Sequence, residues 1–168
     1  MAGAGGRRTA LAQLAFVPLA ALASGAAWPQ RKAEVAELPR IDDLRSLTVQ
    51  MRRERVPLLL FFSTAGCPFC IEVRRNYLVP RLKEAGGSLL IREVEIVSRR
   101  SFTGLDGAAQ TEAELAARFG IRMVPVVQLV DANLTPIGRP LVGIGASGFY
   151  DGYLSAAIEE AQRAIRGR

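Results

Sequence analysis

The chain has no histidine, two cysteines in 168 residues, and no acidic side chain among its first 27. Structural zinc is held by four ligands drawn from Cys, His and acid, and two thiols without any imidazole supply such a site poorly. Copper carriers of the secreted kind use His or Met, and beyond the N-terminal leader only Met51 and Met123 remain. Two thiolates alone could still hold Cu(I), or a zinc ion across a dimer. No resident metal or cofactor is expected. The chain also lacks internal repeats, low-complexity tracts and, outside its leader, any apolar run of membrane-spanning length. There is no dense basic stripe interleaved with aromatics, so the net charge of +6 does not indicate nucleic acid. The basic residues are scattered and stand beside acids, as in "RIDDLR", "RLKE" and "REVE".

What the first residues do contain is a leader. Arg7 and Arg8 precede an apolar stretch from about Ala10 to Ala23, closed by the small residues Ser24 to Ala27. This order predicts a secretory signal peptide over 1–27, cleaved near Ala26 or Ala27, and a periplasmic or otherwise exported protein. An uncleaved anchor is the alternative, but the stretch is short, Ala-rich and interrupted by Gln13 and Pro18. The general secretory route is preferred to twin-arginine export, because Thr9 and Ala10 follow the arginine pair in place of a bulky aromatic. Loss of Arg7 and Arg8 from 22 basic residues leaves 20 against 16 acidic ones.

Residues 28–41, polar and with a proline near either end, read as a linker, and 42–168 as one domain. "IDDLRSLTVQMRRER" predicts a helix with Leu44, Leu47 and Met51 on one face and Asp42 as its cap. "VPLLLFFS" (56–63) is a continuous apolar run of strand length, as for a strand covered on both faces. After a turn at Ala65 and Gly66, a helix starts around Cys67 with Pro68 in its first turn. Cys70, Val73 and Tyr77 make its apolar stripe, Arg74 and Arg75 point to water, and Pro80 kinks or ends it. "SLLIREVEI" reads as a strand, and 97–110 as a long loop in which Arg99, Arg100 and Phe102 could meet a protein partner. A capping box at Thr111 and Glu114 opens a short helix ending on Gly120. A hairpin (124–130 and 136–145) and a last helix (147–166, Ser147 as cap) follow. Helix, βαβ, helix, ββα is the order of a three-layer α/β/α domain.

Two cysteines three apart can be a staple, half a metal site or a redox centre. A disulfide stabilises by restricting the unfolded chain, and so short a loop restricts it least. The redox reading fits each local feature better. Cys67 at a helix start is where free N–H groups and the helix dipole favour a thiolate, while Cys70 one turn on lies on the apolar stripe. An exposed attacking sulfur and a buried resolving one are what thiol–disulfide exchange requires.

"LLLFFSTAGCPFC", "GIRMVPVVQLVD" and "VGIGA" together resemble the thioredoxin superfamily, and among its members the exported bacterial thioredoxin-like and Dsb-type proteins. The resemblance runs from about 42 to 166. It implies a thioredoxin-like fold with a central mixed sheet and a reversible Cys67–Cys70 disulfide. It makes Pro68 a structural residue of the site and Pro125 a cis-proline facing the cysteine pair. By the same resemblance Val124 offers backbone groups to a substrate chain, and Phe69 lies on the substrate-binding surface. In two places the chain departs from the family. Phe61 stands where thioredoxin and DsbA carry a buried acid, no nearby carboxylate plainly replaces it (Glu72, close in sequence, reads rather as an exposed helix acid), and Pro68-Phe69 separates the cysteines.

The expectation is a protein-disulfide oxidoreductase, monomeric, acting on protein disulfides or dithiols. Phe69 is less able than a histidine to stabilise a thiolate, which favours a reductase recharged by a membrane electron-transfer partner. A disulfide-forming oxidase is one alternative. A thioredoxin-fold binding module without redox turnover is another.

Overall fold

The computed structural model of the chain describes Met1, residues 37–145 and residues 147–167, and of Ser147 the backbone alone. The leader beyond Met1 and the cap expected of the Ser147 side chain lie outside the described residues. In chain order the elements are α1 (Leu44–Glu54), β1 (Leu58–Ser63), α2 (Pro68–Val73), a π-helical turn (Arg74–Leu78), α3 (Val79–Glu84), β2 (Leu90–Glu95), β3 (Ser101–Thr103), β4 (Ala109–Thr111), α4 (Glu112–Arg118), β5 (Val126–Val130), β6 (Pro136–Val142) and α5 (Ser147–Arg166). The main sheet has the order β2-β1-β5-β6. β1 runs parallel to β2 and antiparallel to β5, and β6 is antiparallel to β5. It is the mixed sheet of an α/β thioredoxin-like fold, as the resemblance implies.

All six residues of β1 are buried. Leu58, Leu60 and Phe62 pack with Leu44, Leu47, Met51 and Leu115 of α1 and α4 on one face. Leu59 and Phe61 pack with Cys70, Val73, Leu154 and Ile158 of α2 and α5 on the other. An uninterrupted apolar run is what a central strand covered on both faces needs. At the far edge, β6 is exposed along most of its length and carries Pro136 and Pro140, which lack an N–H, and Gly138 at φ 68°. Proline and a positive-φ glycine blunt an edge that could otherwise recruit another strand.

The structure corrects several sequence expectations. Leu38 and Ile41 are buried and Arg40 bridges Glu93 on β2, so the packed body begins near Leu38, inside the stretch 28–41 read as linker. Asp43, not Asp42, caps α1, its carboxylate accepting the Ser46 N–H at 2.9 Å. The Asp42 carbonyl accepts the Thr103 N–H at 3.0 Å, and its carboxylate binds Arg100. Pro80 neither ends nor breaks its helix. The π turn inserts one extra residue, with the Val79 N–H bonded to the Arg74 carbonyl, and Pro80 falls in the first turn of α3 where no N–H is needed. The loop 97–110 contains the hairpin β3–β4, with Phe102 buried in the α1-side core. Arg100 reaches Asp42, Glu112 and the Ile41 carbonyl, so only Arg99 of the three proposed contact residues faces solvent.

The capping box is formed as expected: the Glu114 N–H donates to Thr111 at 3.2 Å, and the Thr111 N–H to Glu114 at 2.7 Å. That backbone bond from Thr111 holds the Glu114 carboxyl below its ordinary value, and the Ser46 N–H does the same for Asp43. A carboxyl depressed on folding contributes stability that is complete above its unfolded value and is lost as pH falls through the folded one. Below about pH 4 the first turns of α1 and α4 should therefore exchange amide hydrogens faster, relative to the centre of β1, than at neutral pH.

Tyr150 is 4% exposed, packs on Tyr77 with ring centroids 4.8 Å apart, and its buried hydroxyl has no hydrogen-bond partner among the described residues. Burial pushes that hydroxyl well above its ordinary pKa. A buried hydroxyl without a partner costs about 1–3 kcal/mol, so Tyr150→Phe should stabilise the domain by about 1 kcal/mol. Urea unfolding should show a higher midpoint at unchanged slope; a lower midpoint would mean the hydroxyl is satisfied.

Candidate active site

β1 delivers the chain to the C-terminal end of the sheet at Ser63, where Thr64 to Gly66 turn it into α2. Gly66 sits at φ 72°, a conformation that favours glycine and lets the turn close in two residues. Cys67 is then the N-cap of α2, extended at φ −79° and ψ 109°, and Pro68 takes the first helical position. Cys67 Sγ accepts the Cys70 N–H at 3.1 Å, the bond a capping serine or aspartate would make. Cys67 and Cys70 are joined as a disulfide with their Cα atoms 5.2 Å apart. Cys67 is half-buried, whereas Cys70 is 0% exposed within the α2–α5 core. Between them Pro68 and Phe69 face solvent, Phe69 at 57% exposure.

The second part of the site comes from the start of β5. Val126 pairs with Phe62, so the residues before β5 and those after β1 lie at the same end of the sheet. There the Val124–Pro125 bond is cis and Pro125 is buried. The Pro125 carbonyl accepts the Gly143 N–H at 2.8 Å, which ties the "VGIGA" loop to the same place. Val124 is half-buried and, like Cys67, packs against the core cluster that contains Cys70. The structure thus gathers Cys67, Pro68, Phe69, Cys70, Val124 and Pro125 at one end of the sheet.

The sequence reading missed the acid of this neighbourhood. Glu93 on β2 is paired in register with Phe61, is 5% exposed, and faces the α2 side. Arg74 binds it with two nitrogens (Nε to Oε2 at 2.9 Å), and Ser63 donates to it at 2.5 Å. Arg74, expected in water, is therefore largely buried, its guanidinium 5.9 Å from the centre of the Phe61 ring. Two residues along, Glu95 accepts the Ala65 N–H at 3.3 Å and lies 3.7 Å from Arg40. A cleft of about 250 Å³ opens here, lined by Leu38, Ser63, Thr64, Ala65, Arg74 and Glu93 among others. The signal was present in the alternation of "SLLIREVEI", which puts Glu93 on the face of Leu89 and Ile91. Its meaning depends on which strand lies beside β2. Glu72, read from sequence as an exposed helix acid, is half-buried on α2.

Among the described residues, no group of three or more Cys, Asp or Glu is placed to hold a metal ion, and no helix is long and apolar enough to cross a membrane.

A fold of this kind with a C-x-x-C disulfide at the head of the helix after its first strand is that of a thiol–disulfide oxidoreductase. The chain belongs to the thioredoxin-like domain family, whose model matches residues 44–147. No curated protein matches it in sequence. Among solved structures it is similar to a chain from the study of the thiol resolving mechanism in yeast mitochondrial 1-Cys peroxiredoxin via glutathione/thioredoxin systems, at 11% identity over 75% of this chain and 97% of the other, with a TM-score of 0.50. That is a likeness of fold. Oxidized thioredoxin O2 from Arabidopsis thaliana (11% identity, 74% and 94% of the two chains, TM-score 0.48) is also similar. So is a DsbH oxidoreductase (20% identity, 82% and 96%, TM-score 0.49).

Replacing Arg74 by Met strands the buried Glu93 carboxylate with Ser63 alone. Removing one partner of a buried pair costs about 3–5 kcal/mol, whereas replacing both by apolar groups can be nearly neutral. Arg74→Met should lower stability to urea by about 3 kcal/mol, and Arg74→Met with Glu93→Leu should recover most of it. A double variant no more stable than the single one would show that the pair is not the source of the loss.

Proposed function

We propose that the protein is an exported, periplasmic thiol–disulfide oxidoreductase that reduces protein disulfides through Cys67 and Cys70. One observation carries this reading: a half-exposed sulfur caps a helix and accepts an amide hydrogen bond, while its partner one turn on is fully buried. The Cys70 N–H and the helix end both favour a negative charge on Cys67 Sγ.

In the reduced protein the Cys67 thiolate attacks one sulfur of a substrate disulfide. A mixed disulfide forms, and the other substrate sulfur leaves as a thiolate that takes a proton from water. The Cys70 thiol gives its proton to water, and the resulting thiolate attacks Cys67 Sγ and displaces the first substrate sulfur, which takes a proton from water in turn. Two electrons have passed to the substrate and the Cys67–Cys70 disulfide is restored. Phe69 supplies apolar contact, the backbone of Val124 beside cis-Pro125 pairs with an extended substrate segment, and Pro68 fixes the first turn of the helix. The protein acts as a monomer, and a membrane electron-transfer partner returns it to the dithiol.

The direction rests on the thiolate. One amide and the helix end stabilise it, and neither Pro68 nor Phe69 adds a donor side chain. A less stabilised thiolate makes the disulfide less oxidising. Potentials in this class run from about −270 mV for thioredoxin to about −120 mV for DsbA. Equilibration with glutathione should place this protein nearer the first; a value near the second would make it a disulfide-forming oxidase. Cys70→Ser should accumulate mixed disulfides with substrate proteins, and Cys67→Ser few. Alkylation of the reduced protein at mild pH should label Cys67 first, and faster labelling of Cys70 would reverse the assignment.

A further inference from the structure

We propose that the dithiol end of the sheet docks an acidic protein segment, one with apolar side chains next to its cysteine and carboxylates a few residues further out. This rests on the redox reading above and names the substrate class of that site.

The fold distributes its charges unevenly. Most carboxylates are taken up internally. Glu112 lies under Arg40 and Arg100, Glu93 under Arg74, and Asp151 against Arg81. Asp43, Asp106 and Glu114 accept backbone N–H groups at helix caps and turns. Arg75, Arg118 and Arg139 are left exposed and without a carboxylate partner among the described residues.

The dithiol end shows this most sharply. It is built by the stretches 64–67, 96–100, 119–125 and 143–145, which follow β1 and β2, precede β5 and follow β6. These contain no acidic residue. They do contain Arg99 and Arg122, both exposed, and neither is paired with a carboxylate among the described residues. Of the acids that border these loops, Glu95 at the end of β2 is engaged by the Ala65 N–H and Arg40, and Glu112 and Asp42 are engaged by Arg100. Apolar side chains stand out at the same end: Phe69 at 57% exposure, Met123 at 63%, and Phe149 on the first turn of α5 at 67%. Met123 lies between Arg122 and Val124, so the cationic and apolar groups adjoin the backbone that would pair with a substrate.

An apolar centre with a cationic rim selects by charge. Like charges brought together cost affinity, and opposite ones raise the association rate in a salt-dependent way. A basic segment would place its cations against Arg99 and Arg122, on loops that carry no acidic residue of their own, whereas an acidic one would complement both.

The test compares two peptides with the same disulfide and the same flanking Leu and Val. One carries Asp and Glu at the outer positions and the other Lys and Arg. The reduced protein should oxidise with the acidic peptide about tenfold faster at low ionic strength, on the order of 0.02 M, and the difference should collapse by about 0.5 M, where screening is short-ranged. Arg99→Glu with Arg122→Glu should reverse the preference. Equal rates for both peptides at every salt concentration would overturn the docking proposal. Exchange with neutral bis(2-hydroxyethyl) disulfide separates this from failure of the redox reading: if that small disulfide and both peptides are inert, the site does not turn over and the proposal falls with it. Co-sedimentation with phosphatidylglycerol vesicles that is abolished by the two charge reversals, without any peptide preference, would assign the face to a membrane surface instead and also overturn it.

Discussion

Everything in this molecule is arranged around a strand that water never touches. β1 places Leu58 to Phe62 at 0% exposure, and each such side chain gains roughly 1.5–3 kcal/mol on burial. Five of them contribute on the order of 10 kcal/mol, comparable with the whole net stability of an ordinary domain. That gain requires helices on both faces and neighbours on both edges, which dictates the three layers and the central position of β1. The strand has to end at Ser63 with its last carbonyls still in the sheet, and Cys67 inherits its place from that ending. The site is well placed because it continues the most deeply buried strand.

The second constraint is ionic. Glu112 at 0% exposure and Glu93 at 5% would be prohibitive alone, and each is gripped by arginine through more than one nitrogen. Such pairs are weak sources of net stability but costly to break. Their effect here is positional. Arg40 and Arg100 bring the segment before α1 and the segment leading into β3 onto the first turn of α4. Arg74, one helical turn beyond Cys70, fastens the redox helix to β2. The π turn that begins at Arg74 keeps this helix continuous past Pro80, so the anchor and the cysteines stay on one rigid element.

Periodicity and local chemistry made most of the elements legible. The apolar run of β1, the capping box at Thr111 and the glycine-closed ends depend only on neighbours in sequence, and so does the position of Cys67 at a helix start. What failed depends on partners distant in sequence. Arg74 reads as a solvent residue until β2 is known to lie beside β1 and to turn Glu93 inward. Phe102 reads as a loop aromatic until the β3–β4 hairpin folds it under α1. Asp42 and Asp43 are equivalent caps until Thr103 takes the carbonyl of the first and Arg100 its carboxylate. Cis-Pro125 was legible only through the resemblance, since nothing local distinguishes a cis X–Pro bond from the far commoner trans one.

The absences with which the sequence begins acquire a physical sense at this point. A chain without histidine cannot set an imidazolium between its cysteines, and with Phe61 in the core it holds no carboxylate directly beneath them on β1. The acid has moved one strand over, to Glu93, where Arg74 neutralises it. The two sulfurs therefore sit in a field composed mainly of backbone, the Cys70 amide and the end of the redox helix, with the apolar Phe61 side chain in the same core cluster. Backbone dipoles do not titrate, so such a field remains constant across the pH range in which a histidine would change charge. It leaves the pH response of the site to the thiols themselves.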